Sequence, residues 1–266
     1  MNDFLARLPR LLLNGYGLLV TAFILLPMAL PVAVAFTSGD SLTFPPHGLS
    51  LRWFAAALDN AQFMTGLRLS LVIAFGSTVI ATVAGIGAGV AISRYRFRGR
   101  GVVQAVLLAP LALPAIVLGL GLLFVLPWFG LRSGVVATML GHALLGLPYV
   151  LSMVLAAFSN YDPALERASL NLGAGPVRTF FYVTLPLVRG GILAGALAAF
   201  LLSFDNISLS IFLSNNDTLP LRMMQQMQSY ADPGVAALST LLLIVSLGAL
   251  LVIVPYLRQQ AGKRPG

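Results

Sequence analysis

The chain has no cysteine and very little charge. The first absence excludes a disulfide framework, a thiol nucleophile and a thiolate metal site. Only 9% of residues are Asp, Glu, Lys or Arg, against about 25% in soluble domains. His142 is a lone histidine with no acidic or histidine partner at helical spacing, so no metal site is expected. A GxxxxGK[ST] loop is also missing, so any ATP used here must be bound by another polypeptide. What fills the 266 residues is apolar: 58% hydrophobic, with a mean hydropathy of +0.92. A soluble fold of this length could not bury that surface, so an all-α integral membrane protein is expected.

Six apolar stretches read as spans, at about 11–36, 69–92, 102–126, 134–158, 190–213 and 235–257, forming one transmembrane domain over 1–266. The first is too long for the roughly 7–15 residue core of a signal peptide and is expected to remain as a span, despite Ala33-Val34-Ala35. Pro110 and Pro114 fall inside the third. Gly85, Gly87 and Gly89 in the second read as a helix-packing face. Trp53 and Phe54 beside Arg52 suggest an interfacial helix. His142, in the fourth span, is expected to be hydrogen-bonded in the interior. Met223, Met224 and Met227, interleaved with glutamines, suggest an interfacial or docking helix.

The net charge of +8 is compatible with nucleic-acid binding, but the arginines stand between apolar runs, as membrane anchors do. No nucleic-acid partner is expected. Six spans put Arg7, Arg10, Arg94, Arg96, Arg98, Arg100, Arg167, Arg178, Arg189, Arg258, Lys263 and Arg264 on one side. The other side holds Arg52, Arg68, Arg132 and Arg222. Twelve of the 16 basic residues therefore mark the first side, with both termini, as cytoplasmic.

One cytoplasmic connector, 159–187, is far longer than the roughly 4–6 residues usual between elements. Asp162-Pro163 supplies a cap and an N1 proline for a helix over Ala164, Leu165, Glu166, Arg167, Ala168 and Leu170. Gly173 and Gly175 end that helix, Pro176 begins a second, and Leu185-Pro186 opens the next span. Leu165, Ala168 and Leu172 share a face. A stiff, partly apolar knob of this kind suits docking of a soluble partner.

This connector resembles the "EAA" loop of permease subunits of bacterial ABC importers with type I membrane domains. Gly173, Ala174, Leu185 and Pro186 match the second half of that motif. In register with Gly173, the motif's glutamate position holds Arg167, followed by Ala168 and Ser169, while Glu166 stands one place earlier. Either Glu166 or Arg167 can then make the polar contact to an ATPase. Ser203-Phe-Asp-Asn206, Thr218-Leu-Pro-Leu-Arg222 and Asp232-Pro-Gly-Val-Ala-Ala-Leu238 resemble the second permease of the spermidine/putrescine-type branch.

The resemblance implies a multi-pass permease of the bacterial cytoplasmic (inner) membrane. It implies a second homologous permease, two ATP-binding cassette subunits carrying ATP and Mg, and a solute-binding protein as partners. No catalytic residue and no bound cofactor are expected in this chain. Asp205 and Asn206 are candidates for the path of a cationic solute, because an intramembrane carboxylate usually faces a cavity or partner. The competing class is a secondary transporter driven by an ion gradient. It would want several intramembrane ionisable relays and an internal repeat; the spans offer one carboxylate and no obvious repeat.

Overall fold

The computed structural model describes residues 2–159, 162–215, 217–229 and 232–262. These are mostly helical, with no strand among the described residues. The order is α1 (Asn2–Ala35), α2 (Arg52–Asp59), α3 (Ala61–Arg94), α4 (Arg100–Leu108), α5 (Ala115–Val125), α6 (Val135–Ser159), α7 (Ala164–Asn171), α8 (Pro176–Thr179), α9 (Leu185–Phe204), α10 (Ser210–Leu213), α11 (Leu219–Ser229) and α12 (Pro233–Gly262). Four helical stretches are long and apolar enough to cross a membrane: Leu13–Ala35, Ala61–Arg94, Val135–Ser159 and Pro176–Phe204. The stretch read as a third span is not one straight helix. Arg100–Ala112 and Ala115–Phe129 meet at 111°, a break that would count as a fifth span only if the pair acts as one. Pro114 forces the break: it stands at the N-cap of α5, and Leu113 before it is extended.

The chain divides into two compact units, one of residues up to 63 with 223–251, the other of 64–222 and from 252 on. In the first, Val34, Ala35, Ala236 and Ala237 form a small core, covered by Phe36, Leu42, Trp53 and Phe54. Trp53 Nε1 donates to the Gly39 carbonyl at 3.1 Å, and Phe36 and Phe54 lie 5.0 Å apart by ring centroids. The two aromatics read as interfacial thus pack half-buried against protein. Asn60 caps α3 through the Gln62 and Phe63 amides, and Asp232 caps α12 through the Gly234 amide.

The second unit is built on close approach of α3, α6 and α9. Ala81, Ala143, Val150, Val154 and Ala199 form its core, and glycines set its spacing. A Cβ added at Gly85 would fall 2.6 Å from Val150 Cγ1, and one at Gly195 would fall 2.8 Å from Val150 Cα. Gly89 likewise faces Val154, whereas Gly87 faces open space. The expected packing face is thus carried by Gly85 and Gly89, one helical turn apart, and excludes Gly87. Large apolar side chains such as Phe75 and Val83 point outward, as a lipid-facing surface requires.

Candidate functional site

The connector read as a docking knob begins with α7. The Asp162 carboxylate accepts the Ala164 amide at 2.8 Å, capping the helix. At its other end Gly173 takes φ +83°, a left-handed conformation that suits glycine. Its amide donates to the Leu170 carbonyl at 3.0 Å, and the Ala174 amide donates to Ser169 at 3.2 Å. This pair of bonds is the Schellman arrangement, which satisfies carbonyls left open at a helix end.

The second helix expected after the turn is not a separate element. The chain is helical from Pro176 through a π turn at Phe180–Thr184 into α9. Leu185 and Pro186 therefore lie within a continuous rod instead of at a fresh start. The π turn has a physical cause. Pro186 has no amide hydrogen for the Tyr182 carbonyl, and its ring crowds that carbonyl in a regular helix. Widening the preceding turn relieves the conflict.

The candidate side chains of α7 fall on two faces. Arg167 and Ala168 are exposed, and so are Leu165, Leu172 and Val177; Leu172 is 88% exposed. Glu166 and Ser169 turn inward. Ser169 Oγ lies 3.0 Å from Thr179 Oγ1, tying α7 to α8. Glu166 makes a two-pronged ion pair with Arg94 at the end of α3 and accepts a hydrogen bond from the Thr184 hydroxyl in the π turn. Neither Arg94 nor Thr184 was identifiable from sequence as a partner of Glu166: Arg94 reads as one of four clustered anchors, and Thr184 carries no motif.

A second polar group lies in the core of the same unit. His142, 2% exposed on α6, contacts Ser203 of α9 through Nδ1 at 2.8 Å and Ser210 of α10 through Nε2 at 3.4 Å. Ser203 is also bonded to Ser77 of α3 at 2.9 Å, and Ser210 donates to the Asn206 carbonyl at 2.9 Å. One neutral tautomer, protonated on Nε2, satisfies this chain of bonds from Ser77 to Asn206. The network pins the place where α9 ends. Asp205 is the C-cap of α9, and its side chain is exposed. Asn206 accepts the Leu209 amide at 2.9 Å, so its side chain is committed to holding the turn into α10. Of the two path candidates, Asp205 is exposed, whereas the Asn206 Oδ1 is engaged by the backbone. The Asp205 carboxylate sits where the helix already concentrates partial negative charge, which disfavours an anion there. Among the described residues no cluster of three or more His, Asp or Glu side chains is placed to hold a metal.

Comparison with known proteins places these features in context. Residues 81–261 match the family model described as "Binding-protein-dependent transport system inner membrane component". The chain is 30% identical over 242 residues to the spermidine/putrescine transport system permease protein PotC of Haemophilus influenzae, covering 90% of this chain and 93% of the relative. It is 32% identical over 257 residues to the putrescine transport system permease protein PotI of Escherichia coli, covering 93% and 90%. Its fold matches a chain in the crystal structure of a bacterial ABC transporter involved in the import of the acidic polysaccharide alginate. That match has a TM-score of 0.70 and 15% identity, and covers 94% of this chain and 97% of that one.

Proposed function

Because the chain belongs to the family of binding-protein-dependent transport system inner membrane components, with the fold of type I ABC importer permeases, we propose that it is a transmembrane permease subunit of an ATP-driven importer of small organic polycations of the polyamine type. The observation that carries the coupling half of this reading is the knob formed by α7, its end and α8, which presents Leu165, Arg167, Leu172 and Val177 outward. An exposed apolar surface rimmed by arginine suits a groove on a soluble ATPase subunit. The relatives named for spermidine and putrescine transport support the cargo half, and so does the exposed Asp205 carboxylate.

In this reading six spans hold both termini in the cytoplasm, consistent with the arginine asymmetry. A second homologous permease completes the pathway, two ATP-binding cassette subunits carry ATP and Mg, and a solute-binding protein delivers the cargo from outside. ATP binding closes the ATPases, displaces α7 and turns the cavity outward; hydrolysis returns it inward. The cycle works only if ATP favours the outward state differentially. Vesicles holding the assembled transporter test this with radiolabelled putrescine and spermidine. The expected result is accumulation that requires ATP on the cytoplasmic side and survives an ionophore. Uptake that ignores ATP and collapses with the ionophore would favour an ion-gradient carrier instead.

A further inference from the structure

Glu166 is one of the two residues that the sequence leaves as candidates for an intermolecular contact, and the structure gives it a different neighbourhood. Its side chain is 12% exposed, and that of Arg94 is 25% exposed. Both guanidinium prongs of Arg94 meet the two carboxylate oxygens, and the Thr184 hydroxyl donates to one of them. Arg94 also reaches Thr184 at 3.4 Å and lies 5.3 Å over the Phe158 ring near the end of α6. One carboxylate therefore gathers the C-terminus of α3, the first turn of α7 and the π turn that leads into α9, with α6 alongside. The charges suit the helix ends: Arg94 is in the last turn of α3, and Glu166 is in the first turn of α7. Each charge is stabilised by the dipole of its own helix as well as by the other. A planar, two-pronged pair also fixes orientation, which a single point charge would not.

We infer that Arg94 and Glu166 are positioning residues: an internal latch that locks the docking helix α7 to the roots of α3 and α9, so that a displacement of α7 moves those helices as one body. The polar contact to a docked ATPase then falls to Arg167, whose side chain is exposed. The latch rests on the coupling reading given above for its use, but its existence can be tested separately.

The test uses the full transporter in membrane vesicles with the cytoplasmic face accessible. The variants are Arg94→Glu, Glu166→Arg and the exchanged pair carrying both. Trypsin cleavage after Arg178, which is exposed on α8 next to the Ser169–Thr179 contact, reports whether the knob is held. Each single reversal should speed cleavage by about tenfold, the shift expected for losing one charge-assisted hydrogen bond. The exchanged pair should restore protection. If cleavage in the exchanged pair stays as fast as in the single variants, the latch is overturned.

Uptake per ATP hydrolysed is read on the same vesicles. It should fall in the single variants and recover in the pair; a general structural role would slow uptake and hydrolysis together and leave their ratio fixed. Restored protection with an uptake ratio unchanged in every variant would leave the latch standing and overturn the coupling reading. Should the reversals not reach the membrane, Arg94→Lys and Thr184→Val decide. Each removes part of the constellation at near-constant size, so cleavage should rise about threefold, and no rise in either would overturn the latch.

Discussion

Replacing Gly173 separates backbone conformation from steric fit. A Cβ at Gly173 would meet nothing within 4 Å, but the residue sits at φ +83°. An L-residue held there costs roughly 1–2 kcal/mol, and more when β-branched. Escaping the strain means giving up the Gly173–Leu170 and Ala174–Ser169 bonds, of 3.0 and 3.2 Å, each contributing about 1 kcal/mol. Either route costs about 1–2 kcal/mol for alanine. Since about 1.4 kcal/mol is tenfold in an equilibrium, the native turn would lose about an order of magnitude in relative population. The eight residues of α7 are below the roughly 12–15 at which a helix holds itself, so loosening this cap loosens the knob. Uptake per ATP hydrolysed in reconstituted vesicles should therefore fall in the order Asn, Ala, Val, with Asn mildest because it tolerates the left-handed region. Gly175 is the internal control. It is also open at its Cβ, but its backbone is extended, with φ −67° and ψ 161°, so Gly175→Ala should leave coupling intact. Full coupling in Gly173→Val, or equal losses in the two alanine variants, would refute the reasoning.

Three further outcomes follow. His142→Ala strips the bonds to Ser203 and Ser210 from a buried site; a loss of about 2–4 kcal/mol should lower Tm, and an unchanged Tm would mean the network is idle. Gly195→Ala should destabilise the purified chain by about 1–3 kcal/mol, because its Cβ would meet the α6 backbone at 2.8 Å. Gly87→Ala, in open space, should be neutral or stabilising by up to about 1 kcal/mol, and equal effects on Tm would contradict the packing description. Asp205→Asn should cut kcat/KM for putrescine uptake at least about tenfold, since a charge at 4 Å contributes on the order of 4 kcal/mol at an effective dielectric of 20. Unaltered uptake would remove Asp205 from the path.

The parts of this molecule legible in sequence were those governed by local chemistry. Apolar length marked the long helices, Asp162 stands where a cap belongs, and Gly173 ends α7. Periodicity went halfway: three alternate glycines suggested a packing face, but only the pair four residues apart can share one side of a helix. Pairings across long separations carried no signal. Arg94 and Glu166 are 72 residues apart, and Ser77 and Ser203 are 126 apart. A proline inside a helix forces the chain either to bend or to yield locally, and the residues around it decide which. At Pro114 the helix breaks by 111°, whereas at Pro186 a π turn absorbs the conflict and the helix runs on. The difference lies in what surrounds each proline: α7 braces the second through Thr184 and Thr179, a contact that no local pattern encodes.

The central claim is that this chain works as the membrane half of an ATP-driven importer. Purification of the chain from its native membrane in mild detergent, with the co-purifying proteins identified and ATP hydrolysis measured, tests it most directly. The account predicts a second, homologous permease and an ATP-binding cassette subunit in the complex, with ATPase activity. A lone chain or a homodimer without ATPase activity, found in several detergents, would contradict it and leave the exposed face of α7 without a purpose.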